Sequence, residues 1–543
     1  MMKFSHNEKP QTWLSTIALL VVLAMWPMTA ISAQLPTLPL SFINTTYSPP
    51  AGNTITVNAG GSFQAALNSA QLGDTIVLAA GATFTGSFNL PNKTSGSGWI
   101  YVVSSAYGNL PAPGSRVGPV DAVNMPKLAS TAQAVITTSP GAHHFRFVGI
   151  EFKPTTGSFV YSLIAIGNRE TSVGLLPNNI TFDRCYVHGD PSVGGRRGIA
   201  MDGIGVAVVD SYIADFKEVG ADSQALWVHN SPGPIKLVNN FLEAAGENFM
   251  AGGADPAITN LVPSDIEIRR NRFYKPLSWI GSAWSVKNLL EFKNGQRILV
   301  EGNLFENNWA AAQNGFSILI TPRNQSGGAP WSVTQDITIR LNKMVNLGQG
   351  FNISGTDEGG AGTSQITRRV LIENNVIEVT SLNGADGRIF GIINGPIDTT
   401  IRHNTGFTSG TLAFSENSPL ADQFDFRDNI FSSGAYGFSG TGTGPGTSTL
   451  NSYFTNYTFN SNVVIGGSGA SYPAGNFFPG STADVGFVNY TGGNYALSTA
   501  SAYKNAATDG KDIGADIFAL TSALAGGTGA LPASPTNLRR IPL

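Results

Sequence analysis

Glu291 and Lys293 lie one residue apart in the segment LLEFK at 289–293, whose other members are apolar. Alternate side chains of an extended strand face the same side, so Leu290 and Phe292 are expected to face a core. Glu291 and Lys293 then point outward together. The segment predicts a carboxylate and an ammonium group side by side on an outer surface.

Arg323 is expected to join this pair. Glu291 and Arg323 each lie 20 residues after an Asn that ends a sequence repeat, Asn271 and Asn303 respectively. Equal offsets predict that Arg323 lies one sheet rung from Glu291 and Lys293. The neighbouring repeats add further polar groups, namely Glu247, Asn248 and Asp255 before the pair and Asp357 after it.

Such a set of charges can cleave a uronic-acid polymer by β-elimination. The reaction removes the C5 proton, which is acidic only when the adjacent carboxylate is neutralised by Arg or by Ca²⁺. A lysine can act as the base, and a second cation can protonate the leaving oxygen. Lys293, Arg323 and Glu291 are therefore the candidate catalytic residues, and their exposure predicts that Lys293→Ala leaves stability nearly unchanged.

Two other functions stay open. A glycoside hydrolase would use two carboxyl groups that flank the glycosidic bond, and the candidates are Asp222, Glu247, Asp255, Glu291 and Asp357. A non-catalytic glycan-binding or structural surface protein would use the same charges only as an ion-pair ladder, which stabilises little.

Aromatic residues near the charged residues favour a sugar partner, because indole rings stack on sugar faces. Trp227 points outward by the same alternation, and other tryptophans lie in the loops of these repeats. With two polar neighbours, the predicted substrate-binding residues are Trp227, His229, Trp284, Trp309, Trp331 and Asn324. The alternative is that the loop tryptophans pack the loops onto the sheets.

These residues are positioned by a repeat of about 30 residues that runs from 145 to 429. Each copy has two β-formers spaced i, i+2 and an Asn at i+5, as in IEIRRN at 266–271 and ILVEGN at 298–303. A fixed period in this range is typical of a solenoid. The closing residues are Cys185, Ser211, Asn240, Asn271, Asn303, Asn342, Asn375, Asn404 and Asn429.

The repeating unit is a strand unit, because apolar residues alternate with period two and β-branched residues dominate. Strands repeated in register stack as parallel sheets, and each Asn can bond to the Asn of the next coil. We predict an all-β fold, a single-stranded right-handed parallel β-helix of about ten coils with an internal Asn ladder. A second strand is expected after each bend.

With this repeat the chain resembles the pectin-lyase-like β-helix superfamily over about residues 55–430. The resemblance includes the segment GGSFQAALNSAQLGDTIVL at 60–78, in which Phe63, Ala66, Leu67 and Ala70 form one apolar helical face. It implies an N-terminal helical cap over residues 62–71. The superfamily hosts lyases, hydrolases and non-enzymatic adhesins, so it implies the fold rather than an activity.

Within the superfamily the site is similar to the chondroitinase B and alginate lyase branch, where a Lys on one coil works with an Arg on the next. That likeness implies calcium ligands, for which Glu247, Asn248 and Asp255 are the candidates. The branch has Arg-His-Gly at the Arg, whereas this chain has TPRNQ at 321–325. This departure leaves the activity open.

Residues 1–33 have the pattern of a secretory signal peptide, with Lys3 and Lys9 before an apolar run and cleavage expected after Ala33. We therefore expect a secreted, extracellular or periplasmic monomer that acts on extracellular polysaccharide and has no membrane contact after cleavage. A net charge of −3 gives no indication of nucleic-acid binding. The predicted regions are the leader 1–33, an extended lead-in 34–54, the β-helix 55–432, irregular final coils and a cap 433–533, and a Pro-rich tail 534–543.

Overall fold

The structure, a computed structural model, describes residues 33–357 and 359–525. It contains three long parallel sheets of 15, 13 and 12 strands, here named sheets A, B and C. The chain visits sheets A, B and C in turn, and neighbouring strands of each sheet belong to successive coils. The right-handed parallel β-helix is confirmed. Each full coil has three strands rather than the two expected, and sheet C alone spans twelve coils.

Sheet A comprises Thr54–Val57, Thr75–Leu78, Ile100–Ser104, His143–Val148, Asn178–Asp183, Ile204–Val209, Ile235–Val238, Ser264–Arg269, Gly295–Glu301, Thr334–Arg340, Arg368–Glu373, Ile397–Arg402, Ala421–Arg427, Phe454–Thr455 and Thr458–Asn460. Sheet B comprises Thr83–Thr85, Lys127–Ser130, Glu151–Pro154, Tyr186–His188, Tyr212–Phe216, Phe241–Ala244, Arg272–Tyr274, Leu304–Asn308, Lys343–Leu347, Val376–Val379, Thr405–Phe407, Ile430–Ser432 and Val463–Ile465. Sheet C comprises Phe88–Leu90, Ile136–Thr138, Ser162–Ile166, Arg197–Met201, Gln224–Val228, Glu247–Ala251, Leu290–Phe292, Phe316–Ile320, Gln349–Ser354, Arg388–Ile393, Thr411–Glu416 and Phe438–Gly440.

The core is a continuous column of apolar side chains enclosed by the three sheets. On sheet C the register stacks inward residues of successive coils, and one such stack is fully buried: Leu226, Phe249, Leu290, Ile318 and Phe351. Because apolar residues occupy the same position in successive coils, each side chain is buried against those of the coils above and below. The period-two pattern of the sequence therefore predicts correctly which side of each strand faces the core.

The predicted Asn ladder is present and lies at the bend between sheets A and B. Each amide oxygen accepts a hydrogen bond from the backbone N–H of the preceding ladder residue, as Asn303 does from Asn271 at 2.9 Å. Each side-chain amide also donates to a strand carbonyl, as Asn303 does to Ile268. The ladder extends past Asn429 to Asn462 and Asn476. It satisfies bend groups that would otherwise be buried without partners.

A short helix, Phe63–Ser69, caps the N-terminal end, as predicted. The Ser62 side chain accepts from the Ala65 N–H, and Phe63, Ala66 and Leu67 are buried against the first coils. Up to residue 525, where the description ends, the C-terminal part contains an antiparallel hairpin and two further helices. Their bounds are Phe487–Asn489, Asn494–Leu497, Thr447–Tyr453 and Ile517–Ala525.

In the part of the chain that the structure describes, short 3₁₀ segments lie in the connections, at Tyr107–Asn109, Pro119–Asn124, Val173–Leu175, Leu277–Trp279, Leu382–Gly384, Gly469–Ser471 and Ala483–Val485. Among the described residues no helix is long and apolar enough to span a membrane. The predicted leader, except Ala33, and the predicted tail 534–543 lie outside the described residues.

Candidate active site

Sheet C carries the predicted catalytic residues on its outer face. The register pairs Met250 with Glu291, Glu291 with Leu319 and Leu319 with Asn352, so these four side chains form one outward row. Lys293 follows two residues after Glu291 on the same side. The outward placement of Glu291 and Lys293 agrees with the alternation of the sequence.

Four charged side chains form one connected cluster, here named the ionic quartet: Glu291, Lys293, Arg323 and Asp357. The Lys293 Nζ lies 2.9 Å from the Glu291 Oε1 and 3.5 Å from the Asp357 Oδ2. The Arg323 Nε donates to the same Asp357 oxygen. Two cations therefore contact one carboxylate, and the quartet as a whole has no net charge.

Arg323 reaches the quartet by a route that differs from the predicted one. Equal offsets from the ladder do not define equal register, because Glu291 pairs with Leu319 and not with Arg323. The connections before the strands Leu290–Phe292 and Phe316–Ile320 differ in length. The number of residues between the ladder Asn and the strand therefore differs between the two coils. The Arg323 backbone N–H instead donates to the Lys293 carbonyl at 2.8 Å, which brings the two cations together at the strand ends.

The quartet is more buried than the sequence indicates. The side chains of Glu291 and Lys293 are 2% and 5% exposed, whereas that of Arg323 is 25% exposed. The expectation that Lys293→Ala leaves stability unchanged is therefore wrong for this environment. Removing Lys293 would leave the buried Glu291 carboxylate without its ion-pair partner, which is strongly destabilising.

The cations also determine the state of Asp357. Burial raises the pKa of this carboxyl, but the Arg323 hydrogen bond and the Lys293 charge outweigh burial and hold the pKa below its usual range. Asp357 is consequently ionised at neutral pH. It occupies the position between the two cations that a carboxylate of a ligand would also favour.

A cleft of about 330 Å³ opens over Lys293, Arg323 and Asp357. Most of its remaining lining is amide or hydroxyl. The full set is Asn288, Lys293, Gln313, Asn314, Phe316, Leu319, Thr321, Arg323, Asn352, Ser354, Thr356, Asp357, Ile393, Asn394 and Asn417. Amides and hydroxyls both donate and accept hydrogen bonds, so this lining suits a ligand rich in hydroxyl groups.

The three predicted calcium ligands have different surroundings, and the oxygen of one of them faces an ammonium group. The Asn248 side chain is fully buried, its amide nitrogen donates to two backbone carbonyls, and its oxygen accepts from the Lys275 Nζ. Asp255 accepts from the backbone of Ser326 and Gly328 and thereby fixes the loop 322–331. Among the described residues no three His, Cys, Asp or Glu side chains are grouped to hold a metal ion. The predicted ligand set therefore does not fit, and no chemical step is assigned to calcium.

Glu247, the third predicted ligand, lies on the coil before Glu291 and is 1% exposed. One of its oxygens accepts from the Gln224 amide at 2.8 Å, and the other has no hydrogen-bond partner within residues 33–357 and 359–525. Burial and the charges of Glu291 and Asp222 raise the pKa of Glu247 well above its usual range. The nearby Lys287 pairs with Asp222 at 2.5 Å and only partly offsets this effect.

The loop tryptophans do not line the cleft. Trp309 is 1% exposed and packs with Ala245, Trp279 and Val286 in a small apolar cluster, against which Trp284 also packs. The Trp331 indole N–H donates to the Leu261 carbonyl. These rings pack loops onto the solenoid, which is the alternative left open above, and Trp309 is inaccessible to a sugar.

Trp227 points outward as predicted but is only 8% exposed. Its ring stacks on His229, with centroids 4.3 Å apart, and the Arg197 guanidinium lies 3.9 Å from the ring centroid. The His229 Nδ1 lies 2.8 Å from the buried Asp202 carboxylate. Both rings lie on the same sheet as the quartet but outside the lining of the cleft.

Asn324 is buried and holds its own loop, since its oxygen accepts from Ala329 and its amide donates to the Thr363 carbonyl. The sequence prediction missed the amides that do line the cleft, including Asn352. Its position could have been found by counting outward residues from Phe351 and Ile353, the apolar residues on either side of it. The lining residues from loops, such as Gln313 and Asn417, have no periodic signal.

No protein-family model and no curated protein matches the sequence. Among solved structures, the chain is similar to the polysaccharide lyase family 6 alginate lyase AlyGC, with a TM-score of 0.51, 14% identity and 85% of this chain covered. This chain spans only 57% of the length of AlyGC. A mannuronic acid-specific family 6 lyase from the human gut microbiota gives a TM-score of 0.49 and 11% identity, with 78% of this chain and 89% of that chain covered.

A glycoside hydrolase is also among the solved structures that the chain matches. The catalytic unit of an α-1,3-glucanase from Streptomyces thermodiastaticus gives a TM-score of 0.38 and 11% identity over 77% of this chain and 71% of that chain. At these identities the likeness to AlyGC shows the β-helix fold. The predicted resemblance to polysaccharide-acting β-helix proteins is confirmed at the level of fold.

Proposed function

We propose that the protein is an exported enzyme that binds an acidic polysaccharide along sheet C and cleaves it by β-elimination. The observation that carries the proposal is the contact of Lys293 and Arg323 with one carboxylate, Asp357, at the wall of a polar cleft. A uronate carboxylate can contact Arg323 where Asp357 does now, with Lys293 beside it. The amides of the lining are suited to the hydroxyl groups of the sugar.

β-Elimination assigns a task to each cation. The substrate carboxylate must be neutralised before the C5 proton can leave, and we assign this task to Arg323, the more exposed cation. Lys293 is the candidate base, because a lysine amine can accept a proton whereas a guanidinium cannot. Glu291 holds the Lys293 Nζ at 2.9 Å and acts as a positioning residue.

A solenoid with a cleft on one sheet also fits a linear polymer. Successive coils lie about 4.8 Å apart. A polymer that lies along the solenoid axis therefore meets the outward side chains of a new coil at each such step. Near the quartet the coils carry Asn288, Asn352 and Asn394, which line the cleft. The enzyme is therefore expected to cleave within polymers rather than to act on free monosaccharides.

The second candidate is a glycoside hydrolase that uses Glu291 and Asp357. Both carboxylates contact the Lys293 Nζ, at 2.9 and 3.5 Å, so their oxygens are no farther apart than the sum of these distances. Carboxyl pairs in glycosidases are separated by about 5 to 9.5 Å. Glu291 is nearly inaccessible and absent from the lining of the cleft, which places the hydrolase second.

A screen of purified protein against uronic-acid polymers and neutral glucans tests the proposal. β-Elimination gives an unsaturated product that absorbs in the ultraviolet, whereas hydrolysis gives new reducing ends without that absorbance. We expect absorbance with at least one uronic-acid polymer and none with a neutral glucan. Reducing ends without absorbance would support the hydrolase, and binding without any product would support the non-catalytic glycan-binding protein.

A further inference from the structure

Residues 34–48, here named the strap, lie against sheet A and not against the sheet that carries the cleft. Three of their backbone N–H groups donate to aspartate carboxylates of the solenoid. The bonds run from Gln34 to Asp398 at 2.8 Å, from Thr37 to Asp336 at 3.0 Å and from Leu40 to Asp265 at 2.9 Å. The strap thus runs along the solenoid axis toward the N-terminal cap.

The spacing of these hydrogen bonds matches both the rise per residue of an extended strap and the distance between coils of the solenoid. One strand of sheet A lies between those of Asp265 and Asp336, and one lies between those of Asp336 and Asp398. Two coils span about 9.6 Å, and three residues of polyproline II span about 9.3 Å. Pro36 and Pro39 repeat with the same period of three and fix an extended backbone. One strap residue in three therefore meets an aspartate on every second coil.

The intervening coils hold two of the aspartates in place. Arg297 forms two hydrogen bonds with Asp265, at 2.7 and 3.0 Å, and Arg369 forms two with Asp336, at 2.7 and 2.8 Å. Bidentate pairs fix the orientation of a carboxylate. The acceptors are consequently oriented by the solenoid itself.

The other end of the strap is anchored by cations and rings. The Lys236 Nζ donates to the Ile43 carbonyl, and Arg146 donates to the carbonyls of Thr45 and Thr46. The Ser48 N–H donates to the Tyr101 hydroxyl at 3.4 Å. The strap is therefore attached at several points between the coil of Asp398 and the coil of Tyr101.

The first anchor differs from the other two because the predicted leader cleavage falls directly before it. We propose that hydrolysis of the Ala33–Gln34 peptide bond by a leader peptidase creates an α-ammonium group that forms an ion pair with Asp398 and locks the strap. Water supplies the hydroxyl for the Ala33 carboxylate and a proton for the Gln34 amine. The Gln34 nitrogen already lies 2.8 Å from the Asp398 carboxylate, which is 7% exposed.

The charges around Asp398 set the pH dependence. At this end of the neighbouring strands, the ionisable side chains are Arg368 and Arg369 on the coil before and Asp422 on the coil after. An α-amino group has an ordinary pKa of about 7.7 to 8.0, which a carboxylate partner raises in the folded state. The added stability is therefore present at neutral pH and is lost as the pH rises through the folded pKa.

The test uses the full chain, exported and processed by a bacterial host, with the N-terminal residue determined by mass spectrometry. A comparison variant has Ala-Ser inserted between Ala33 and Gln34. Cleavage after Ala33 then leaves the α-amino group two residues before Gln34, and the Gln34 nitrogen that contacts Asp398 stays an uncharged amide. Each protein is also made with Asp398→Asn. Melting temperatures are measured from pH 6 to pH 10 for all four proteins.

We expect a mature terminus at Gln34, a higher melting temperature for the native terminus than for the insertion variant at pH 6, and convergence of the two at alkaline pH. Asp398→Asn should lower the melting temperature of the native-terminus protein more than that of the insertion variant. Activity on polysaccharide should not change, because the strap is not part of the cleft. A mature terminus elsewhere, complete cyclisation of Gln34, or an equal effect of Asp398→Asn in both backgrounds would overturn the proposal.

Discussion

At the scale of single residues, the function depends on how Lys293 is held. Its ammonium group lies between Glu291 and Asp357, and its side chain is 5% exposed. A base in this position must pass its proton to solvent or to the leaving group in each cycle. The same contacts make the residue important for folding, so loss of activity alone cannot identify a base.

Lys293→Arg separates the two roles. Arginine keeps the positive charge near Glu291 but cannot act as a base at any pH that proteins tolerate. If Lys293 is the base, kcat should fall about 10²- to 10⁴-fold, while the melting temperature falls less than in Lys293→Ala. Steady-state kinetics and thermal unfolding of both variants give the answer. An Lys293→Arg protein with near-normal kcat would assign Lys293 to charge stabilisation instead.

Asp357→Asn tests whether this carboxylate occupies the place of a substrate carboxylate. Removing its charge frees Arg323 to bind the substrate carboxylate, so KM for a uronic-acid polymer should fall severalfold with kcat largely retained. Asp386→Asn is a matched control, because Asp386 pairs with Arg388 at 3.1 Å on an exposed surface. A complete loss of turnover on Asp357→Asn would instead indicate that Asp357 belongs to a hydrolytic pair.

Glu247 should make stability depend on pH. Its pKa is raised in the folded state, so the folded protein binds more protons than the unfolded chain above about pH 4.3. This group therefore lowers stability progressively as the pH rises from there toward its folded pKa. Glu247→Gln resembles the protonated form. The melting temperature of the variant should therefore exceed that of the wild type by more at pH 8 than at pH 5. A variant that is less stable than the wild type at pH 8 only would show an ionised Glu247 paired with Lys287.

At the scale of elements, the Asn ladder carries the register of the solenoid. Asn303→Ala removes the acceptor of the Asn271 N–H and the donor to the Ile268 carbonyl, and both groups are buried. Each buried group without a partner costs about 1 to 3 kcal/mol. A clear drop in urea midpoint is therefore expected, with Asn58→Ala at an exposed turn as the control. Equal midpoints for the two variants would contradict a structural role of the ladder.

The elements were predictable where backbone geometry repeats. Period-two alternation placed Leu290 and Phe292 inside and Glu291 outside, because the pleat allows no other arrangement once one face is buried. Counting from ladder residues put Arg323 next to Lys293 on the following coil but missed its register, because loops of different length separate the ladder from sheet C. Trp309 was misplaced for a related reason, since loop residues have no period that reveals which side they face.

At the scale of the whole molecule, the solenoid separates its tasks among its sheets. Sheet C carries the cleft, the ladder lies inside the bend between sheets A and B, and the strap lies on sheet A. Composition and repeat predicted the architecture, because each coil of a solenoid forms the same backbone hydrogen bonds with its neighbours and therefore repeats the same residue pattern. The depth of the quartet was not predictable, since it depends on loops such as the one that delivers Asp357.

The most direct test of the central claim, cleavage by β-elimination, is the mass of the products. The wild-type protein is incubated with a uronic-acid polymer, and the oligosaccharides that form are analysed by mass spectrometry and by ultraviolet absorbance. β-Elimination adds no water, so we predict products whose mass is the sum of their residue masses and whose new non-reducing end is unsaturated. Products that are heavier by one water molecule and lack the absorbance would show hydrolysis and contradict the assignment of Lys293 and Arg323 as a lyase pair.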